Sequence, residues 1–513
     1  MNATLDYLVR RPAFVHPDRV AVIEGDVTWT WRTFDEQVTR GADALRRLGL
    51  GPGDRIAAAD YNSMEYLALY YGAARLGAII CPLNYLCAPD ELEYMLADFD
   101  PALVVAGEEF AEAVFGAAPA GARRLRFRQG GGEGDWRALR DAADPDASID
   151  PVDPSSIHVV MYTSGTTGRP KGVCHTHLAH YLDGMGAALG YGLNRDDRYV
   201  VHAPSFHGAS WDHMKLFFCC DGSVVLTPRF DPVAVMDAVS KHRVTVLFAV
   251  PAVLRRLLEH PGFGDHDLSS VRMVFFGGAI GSLDVLPKFA AAVGREDILY
   301  QQMYGLTEGG PFVTVSPPET GARKPSSVGR ALPGVAIDLR SPETGESLPA
   351  GEVGEIVVGG PGVMDRYWRN PEATAEAIRD GWLHTGDLAT RDEDGDYAIV
   401  DRLKDMVRSG GENVYAAEVE RVLMTHPAIA EAAVVGLPDD RWDERVVAVI
   451  RLAGEDQIEV EAVRAHCRER LAAYKVPKQV EIVDDFPRTG LGKIAKSDLR
   501  ASLGAGAQPT MKE

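Results

Sequence analysis

Residues 162–172 have the sequence Tyr162-Thr163-Ser164-Gly165-Thr166-Thr167-Gly168-Arg169-Pro170-Lys171-Gly172. Glycines let a backbone approach an anion and point its N–H groups at it. Hydroxyl groups donate hydrogen bonds to phosphate oxygens, and a lysine adds a positive charge. The apolar run from Ile157 to Tyr162 is typical of a strand that leads into such a loop. The stretch therefore predicts a phosphate-binding loop, with a Ser/Thr/Gly-rich surface turn as the alternative.

The order of residues in this loop differs from that of the common nucleotide-binding loop. In a Walker loop the lysine directly follows a glycine and precedes Ser or Thr. Here Arg169 and Pro170 separate the last glycine from Lys171, which weakens the assignment to a P-loop ATPase or GTPase. The order resembles the phosphate loop of the acyl-adenylate-forming superfamily, which includes acyl-CoA synthetases, amino-acid adenylation domains and luciferases.

The composition indicates a large acidic globular protein. At about 150 residues per domain, the chain of 513 residues predicts two to four compact units. Its 46% hydrophobic content is ordinary for such proteins. The formal net charge of -21 argues against binding to nucleic acid or docking on anionic lipid, since both need a basic surface.

Three further features of the sequence bear on location. No apolar run reaches the roughly 18 residues of a membrane-spanning helix, and the N-terminus lacks the basic and then apolar order of a secretory signal. The 6 cysteines form no C-x-x-C pair and fit free thiols in a reducing compartment. We therefore expect a cytoplasmic protein without integral membrane association, and a homodimer is the expected assembly.

Helical and strand-like patterns alternate along most of the chain, which predicts an α/β fold of stacked sheets with helices on their faces. Beyond Gly351 the strands become shorter, and Asp394-Gly395 is typical of a hairpin turn. This change predicts a small β-rich subdomain at the end of the large domain. We predict a large N-terminal domain over residues 1–400, a hinge at 401–405, a mobile α+β C-terminal domain over 406–503 and a disordered tail at 504–513.

A second cluster has the sequence Tyr304-Gly305-Leu306-Thr307-Glu308. A tyrosine ring can lie against adenine, and the hard oxygens of Thr307 and Glu308 suit Mg²⁺. Alternatively, Glu308 is only a charge at a helix N-terminus. The cluster resembles the second nucleotide motif of the superfamily. By that resemblance Glu308 and Thr167 hold Mg²⁺, Gly277-Gly278-Ala279 line the adenine and acyl pocket, and Gly278 and Gly305 border the acid.

Two charged clusters follow, His384-Thr385-Gly386-Asp387 and Asp401-Arg402-Leu403-Lys404-Asp405. A carboxylate can accept hydrogen bonds from both ribose hydroxyls, and the resemblance gives this role to Asp387. It also implies that Arg402 contacts the ribose or the phosphates and that Lys404 is the hinge residue. The alternative for Arg402 and Lys404 is a solvated charged turn.

Two glycine-containing stretches in the C-terminal part also match the family. Thr489-Gly490-Leu491-Gly492-Lys493-Ile494 resembles the loop whose lysine bridges the substrate carboxylate and the α-phosphate. Adenylation needs such a cation because both reactants are anionic. Taken alone, a lysine near the chain end is an ordinary surface residue. Ser409-Gly410-Gly411 resembles the segment that forms part of the pantetheine tunnel.

The segment from Pro204 to Trp211 bears on the acid. Amino-acid adenylation domains carry an aspartate near His207, and its absence argues against an α-amino acid. The resemblance places His207 beside the acyl site. It also gives Trp211 two possible roles: gating an alkyl tunnel, as in fatty acyl-CoA synthetases, or closing the pocket around a shorter or aromatic acid. The polar residues Asp212 and His213 are unexpected beside a long alkyl tunnel.

These motifs extend in family order from Pro82 to Lys493, and the chain is identified as similar to the acyl-CoA synthetases. The resemblance implies that a fatty or aryl carboxylic acid, ATP and CoA become acyl-CoA, AMP and pyrophosphate. An acyl-adenylate is the intermediate, and a domain rotation separates the two steps. A ligase that loads an acyl carrier protein is the alternative. A luciferase-like oxygenase and a non-catalytic binding protein are more distant ones.

Overall fold

The computed structural model describes residues 3–128, 134–163, 169–277, 283–317, 323–324, 326–454, 458–488 and 494–504. The chain divides into two compact units, residues 1–337 with 357–385 and residues 338–356 with 386–513. The predicted hinge at 401–405 lies within the second unit, and the predicted domain limits stay a prediction. Across the described ranges, no helix has both the length and the apolar character needed to cross a bilayer.

The first unit contains a sheet whose central strands are parallel and buried on both faces. In spatial order its strands are Arg366–Tyr367, Lys171–Thr176, Ile157–Thr163, Ile79–Pro82, Arg55–Ala59, Leu103–Ala106 and Arg123–Arg126. The helices that connect or cover them are Trp31–Arg47, Met64–Leu76, Pro89–Phe99, Ala111–Ala117 and Trp136–Asp141.

A second run of strands in this unit has a parallel centre and antiparallel edges. In spatial order the strands are Ser327–Ala331, Thr314–Val315, Leu299–Tyr304, Met273–Gly277, Val246–Phe248, Arg198–Val201, Ser223–Leu226, Val20–Glu24 and Val27–Thr30. The other helices among the described residues of the unit are Tyr7–Val15, His177–Gly190, Gly208–Cys219, Pro232–His242, Pro251–Leu258, Val285–Ala292 and Pro371–Ala377.

The main core of the first unit lies between its two sheets. Ile56 from one sheet and Val201 from the other belong to the same buried cluster. The helices Trp31–Arg47 and Met64–Leu76 cross closely within it, because Gly41 and Gly72 have no side chains to separate them. A Cβ at Gly41 would lie 2.5 Å from the Ala68 carbonyl oxygen. The crossing therefore depends on glycine.

The second unit contains a smaller sheet with helices packed against it. Its strands are Glu412–Val414, Val407–Ser409, Asp443–Leu452, Ile429–Asp439 and Gln479–Ile482, and its helices are Ala416–Leu423, Val460–Arg468 and Lys496–Gly504. The strand Tyr397–Arg402 pairs with Trp382–Arg391 in an antiparallel hairpin. Near the boundaries between the units lie the strands Ala336–Arg340, Gly354–Gly359 and Ile378–Arg379.

These elements confirm the predicted α/β class with stacked sheets. The predicted turn at Asp394-Gly395 joins the two strands of the hairpin, where Gly395 has a φ of 85°. Of the predicted tail, Gly504 ends a helix, and residues 505–513 lie outside the described part of the chain.

Candidate active site

A strand pair fixes the two ends of the predicted phosphate loop. The strands Ile157–Thr163 and Lys171–Thr176 are antiparallel, and Thr163 lies directly opposite Lys171 in the register. The ammonium of Lys171 lies 5.1 Å from the ring centre of Tyr367, a distance typical of a cation–π contact. The predicted residues Ser164, Gly165, Thr166, Thr167 and Gly168 lie outside the described part of the chain.

The second nucleotide motif meets this strand pair through Glu308. The strand Leu299–Tyr304 leads into a 3₁₀ turn over Thr307–Gly309. Glu308 Oε1 accepts hydrogen bonds from the Tyr367 hydroxyl at 3.0 Å and from Thr163 Oγ1 at 3.3 Å. The structure therefore brings residues of two separate sequence motifs together, and Tyr367 joins them.

The backbone around Glu308 is held closely on several sides. The carbonyl of Glu308 accepts a hydrogen bond from the Met364 amide at 2.8 Å. Gly305 is packed so tightly that a Cβ there would lie 1.9 Å from the Pro311 carbonyl oxygen. A side chain at position 305 would force the turn to move.

Gly277 and Tyr304 end two neighbouring parallel strands, with Gly277 paired to Met303. A Cβ on Gly277 would lie 2.6 Å from the Met303 carbonyl oxygen. The carboxyl ends of parallel strands share one edge of a sheet, and ligands of α/β proteins bind at that edge. Gly278 and Ala279 lie outside the described residues.

The parallel strand Arg198–Val201 leads toward the same edge and is followed by His207. His207 is exposed and caps the helix Gly208–Cys219, where its Nδ1 accepts a hydrogen bond from the Ala209 amide at 3.0 Å. A nitrogen that accepts carries no proton, so the neutral ring holds its proton on Nε2.

Trp211 lies in the core, on the same helix. Its side chain is 4% exposed, stacks on Tyr70 at 4.2 Å with an interplanar angle of 7°, and meets the Tyr66 ring edge-on at 4.9 Å. The indole is thus fixed from two sides by tyrosine rings.

The two polar residues after Trp211 are also buried. The His213 ring lies 4.5 Å from the Phe248 ring and 5.1 Å from the Phe312 ring. Burial lowers the pKa of His213 to about 3, so the ring is neutral. Asp212 Oδ1 lies 3.1 Å from the buried ammonium of Lys215, which donates to Asp183 Oδ2 at 2.8 Å. Burial opposes the charge of Lys215, but the two carboxylates raise its pKa above the ordinary value.

In the second unit, the hairpin brings two predicted ribose-binding residues together. Asp387 lies opposite Arg402 in the register, and Arg402 Nε lies 3.1 Å from Asp387 Oδ1. Asp387 is buried and Arg402 is exposed. The preceding Gly386 donates its amide to Glu355 Oε1 at 3.0 Å, which fixes the approach to Asp387.

The predicted hinge residue Lys404 is exposed in a 3₁₀ turn over Leu403–Asp405. Arg500 donates to the Lys404 carbonyl at 3.1 Å and to Asp405 Oδ1 at 2.8 Å. This turn is therefore tied to the last described helix, Lys496–Gly504.

The predicted pantetheine segment forms a tight turn. Ser409 ends one strand, and Gly410 and Gly411 follow it with φ angles of 66° and 83°, in the region that favours glycine. The Gly410 amide donates to the Trp442 carbonyl at 2.7 Å. A Cβ at Gly410 would lie 3.0 Å from the Trp442 ring, so the indole covers this turn. The predicted Lys493 lies outside the described residues.

Sequence reasoning missed residues that contact the second nucleotide motif. Tyr367 belongs to the two-residue strand Arg366–Tyr367, which pairs with Val173 and Cys174 far away in sequence. His175 donates from Nε2 to the Thr307 carbonyl at 2.7 Å. Neither residue lies in a motif that matches a phosphate or metal site, so no local signal marks them.

Comparisons with known proteins agree with this geometry. The model of the AMP-binding enzyme family matches residues 9–368, and that of the AMP-binding enzyme C-terminal domain matches residues 418–493. A feruloyl-CoA synthase from Amycolatopsis sp is 40% identical over 496 residues, which cover 96% of this chain and 98% of that one. A long-chain-fatty-acid–CoA ligase from Mycobacterium tuberculosis is 35% identical, covering 98% of this chain and 99% of the ligase. The crystal structure of ATP-bound MatB from Rhodopseudomonas palustris superposes with a TM-score of 0.89 at 31% identity, covering 99% and 100% of the two chains.

The chain belongs to the AMP-binding enzyme family, and so to the acyl-adenylate-forming superfamily that its motifs predicted. Within that superfamily it is an AMP-forming acid–CoA ligase, with a carboxylic acid, ATP and CoA as its small-molecule substrates. The predicted family, fold and enzyme class are therefore confirmed. The roles of single residues, Mg²⁺, the homodimer and the cytoplasmic location stay predictions.

Proposed function

We propose that the chain activates an aromatic carboxylic acid and transfers it to CoA. The observation that carries the choice of acid is the position of Trp211, whose indole stacks flat on Tyr70 inside the core. A ring that gates an alkyl tunnel needs room to swing, whereas this ring is held between Tyr66 and Tyr70. The packing favours a pocket that ends near Trp211.

The charges beyond Trp211 support the same choice. Asp212, Lys215 and Asp183 form a buried ion triad on the helices Gly208–Cys219 and His177–Gly190. An alkyl chain that extended past Trp211 would run beside these charges and separate them, which is costly in a buried site. Among the relatives, the feruloyl-CoA synthase is named for an aromatic acyl group and is 40% identical, whereas the long-chain-fatty-acid–CoA ligase is 35% identical.

In the proposed first step, the acid's carboxylate attacks the α-phosphorus of ATP, so that an acyl–phosphate bond forms and pyrophosphate leaves. The loop from Thr163 to Lys171 holds the phosphates. Its ends are set by the strand pair and by the contact of Lys171 with the Tyr367 ring. We assign to Lys493 the stabilisation of the charge that builds on the α-phosphate.

The residues around Glu308 fit a hard cation. Among the described residues, Oε1 accepts hydrogen bonds from two neutral hydroxyls, those of Thr163 and Tyr367, and neither brings a positive charge to the carboxylate. Carboxylate and hydroxyl oxygens are ligands that Mg²⁺ prefers. We assign Mg²⁺ to Glu308 and Thr167, where a bound ion would neutralise charge on the phosphates of ATP.

In the proposed second step, the CoA thiolate attacks the acyl carbon and AMP leaves. Asp387 and Arg402 hold the ribose, and their ion pair across the hairpin orients both side chains. Lys404 is the hinge, and the turn at Gly410 and Gly411, packed under Trp442, forms part of the pantetheine passage. His207, exposed at a helix N-terminus, borders the acid.

The test is pyrophosphate release with CoA over two matched series of acids, benzoate to hydroxycinnamates and hexanoate to palmitate. We expect kcat/KM for the best aromatic acid to exceed that for the best fatty acid by at least about tenfold. In Trp211→Ala the preference should shift toward longer acids, because the variant opens space beyond Tyr70. A parallel assay replaces CoA with a holo-carrier protein. Preference for palmitate would overturn the aromatic assignment, and faster transfer to the carrier protein would overturn the choice of CoA.

A further inference from the structure

We propose that His175 is a positioning residue for adenylation, which holds the backbone of Thr307 and thereby aims the carboxylate of Glu308. The proposal deepens the proposed function, since it rests on the role of Glu308 in binding the nucleotide. His175 is fully buried. It lies on the strand Lys171–Thr176, which follows the phosphate loop in the sequence.

The contact itself is short and directional. His175 Nε2 lies 2.7 Å from the Thr307 carbonyl oxygen. A carbonyl only accepts, so Nε2 carries the proton and donates. The other ring nitrogen, Nδ1, has no hydrogen-bond partner among the described residues. The ring is neutral, because burial lowers the pKa of His175 to about 4. The single N–H donor of the neutral His175 ring therefore binds the Thr307 carbonyl of the second nucleotide motif.

Other buried rings hold the imidazole in place. The His175 ring stacks on the His180 ring, with centres 4.3 Å apart and an interplanar angle of 23°. His180 Nδ1 in turn lies 2.9 Å from His158 Nε2. His180 and His158 come from different elements, the helix His177–Gly190 and the strand Ile157–Thr163. The orientation of the His175 donor is thus fixed before any substrate arrives.

A second buried group holds the far side of the same turn. Asp183 accepts a hydrogen bond from the Phe312 amide, and its Oδ2 accepts another from the Lys215 ammonium at 2.8 Å. It also packs against Gly310, where a Cβ would lie 3.0 Å from Asp183 Oδ1. Two buried side chains therefore bind the backbone of the segment that contains Glu308: His175 binds it at Thr307, and Asp183 binds it at Phe312.

These contacts set a direction for the Glu308 side chain. Its Oε1 must reach hydroxyls from two other strands, Thr163 at 3.3 Å and Tyr367 at 3.0 Å. A rotation of the peptide between Thr307 and Glu308 would swing the carboxylate away from both. Small misplacements of binding groups cost large factors in rate. An apolar side chain at position 175 could fill the volume, but it would leave the Thr307 carbonyl without this donor.

The experiment compares His175→Leu, His175→Gln and a matched control, His202→Leu, in two assays. His202 is also buried, and its Nε2 lies 2.7 Å from a backbone carbonyl oxygen, that of Phe248. The first assay is ATP–pyrophosphate exchange at varied MgATP. The second is thioester formation from supplied acyl-AMP and CoA, which does not use the triphosphate.

We expect His175→Leu to lower kcat/KM for MgATP in the exchange assay by about tenfold, the effect of one lost buried hydrogen bond. Thioester formation from acyl-AMP should stay within about twofold of the parent enzyme, and His175→Gln, which keeps a donor, should recover most of the exchange activity. His202→Leu should lower the melting temperature without this selective loss. An equal loss in both assays, or the same selective loss in His202→Leu, would overturn the positioning role.

Glu308→Gln separates this proposal from the proposed function. If Glu308→Gln leaves the exchange reaction unchanged, the assigned role of Glu308 is wrong and the positioning role falls with it. If Glu308→Gln impairs exchange but His175→Leu does not, only the positioning role is wrong. In the double variant, His175→Leu should add little to the loss already caused by Glu308→Gln, because both changes act through one carboxylate. If His175→Leu does not fold, His175→Met, which also lacks the donor to the Thr307 carbonyl, replaces it in the same assays, and an unchanged kcat/KM for MgATP in that variant would overturn the proposal.

Discussion

The Tyr367 side chain contacts both nucleotide motifs of the first unit. Its hydroxyl donates to Glu308 Oε1 at 3.0 Å, and its ring lies against Lys171. Burial, and next the charge of Glu308, raise the pKa of the Tyr367 hydroxyl above its ordinary value, so it remains a donor. The Tyr367 hydroxyl therefore positions the carboxylate of Glu308, and the Tyr367 ring positions the ammonium of Lys171.

Replacing Tyr367 with phenylalanine removes the donor and keeps the ring. We expect Tyr367→Phe to lower kcat/KM for MgATP by about tenfold, as befits a lost hydrogen bond to a charged group. Tyr367→Ala should lose more, because the contact with Lys171 goes as well. Steady-state pyrophosphate release at varied MgATP measures both effects. Tyr300→Phe is the matched control, since its hydroxyl binds a backbone carbonyl, that of Leu286. Equal activities of the parent enzyme and Tyr367→Phe would contradict the assigned contact.

The site could be predicted from sequence only where residues lie in compact motifs. Thr163, Lys171 and Glu308 belong to short stretches whose spacing indicates phosphate chemistry, and the structure brings them together. Tyr367 and His175 could not be found this way. Tyr367 reaches Glu308 through pairing between strands that are distant in sequence, and His175 reaches Thr307 through a side-chain hydrogen bond. A single tyrosine or histidine carries no pattern of its own.

Among the secondary-structure elements, the strand Lys171–Thr176 and the helix His177–Gly190 after it carry buried histidines that must stay neutral. Burial lowers the pKa of His177 to about 4, and that of His175 likewise to about 4. His177 Nδ1 accepts a hydrogen bond from the Leu5 amide at 3.4 Å, which a protonated nitrogen could not do. These elements therefore make the fold sensitive to acid.

We expect the free energy of unfolding to fall as pH drops from the ordinary histidine pKa of 6.5 toward 4. In this range the unfolded chain takes up protons that the folded chain refuses, so stability rises with pH and is lost on acidification. Each such histidine contributes about 3 kcal/mol across the window. Urea denaturation at a series of pH values measures the slope. In His177→Gln the slope should be shallower, and a flat profile in the parent protein would contradict the neutral, buried state.

The elements themselves were largely predictable from sequence. The helix Met64–Leu76 begins after Ser63, whose side chain accepts from the Tyr66 amide, and ends at Gly77 with a φ of 79°. Such start and stop residues can be read locally. The close crossing at Gly41 and Gly72 could not, because it depends on which helices meet. For the same reason, the sequence did not indicate that residues 338–356 belong to the second compact unit.

For the molecule as a whole, the division into two units fits a reaction of two steps. The first unit holds the phosphate-loop ends and Glu308, whereas the second holds Asp387, Arg402 and the glycine turn at Gly410. Adenylation reacts at the α-phosphorus of ATP and thioester formation reacts at the acyl carbon, so the two steps need different groups. We infer that variants of the second unit can separate the two steps, because its residue range includes both Lys404 and Lys493.

Two variants should affect the two steps in opposite ways. Lys493→Ala should abolish acyl-AMP formation, because no cation then offsets the charge that builds on the α-phosphate, and it should largely spare thioester formation from supplied acyl-AMP. Lys404→Pro should spare adenylation and block thioester formation, because the proline ring fixes the φ angle of the residue about which rotation is proposed. Lys404→Ala is the matched control, since it removes the same side chain and leaves the backbone free. Pyrophosphate exchange measures the first step, and thioester formation from acyl-AMP measures the second. An equal loss of both steps in Lys493→Ala would contradict its assignment, and unchanged turnover in Lys404→Pro would show that the rotation does not depend on this residue.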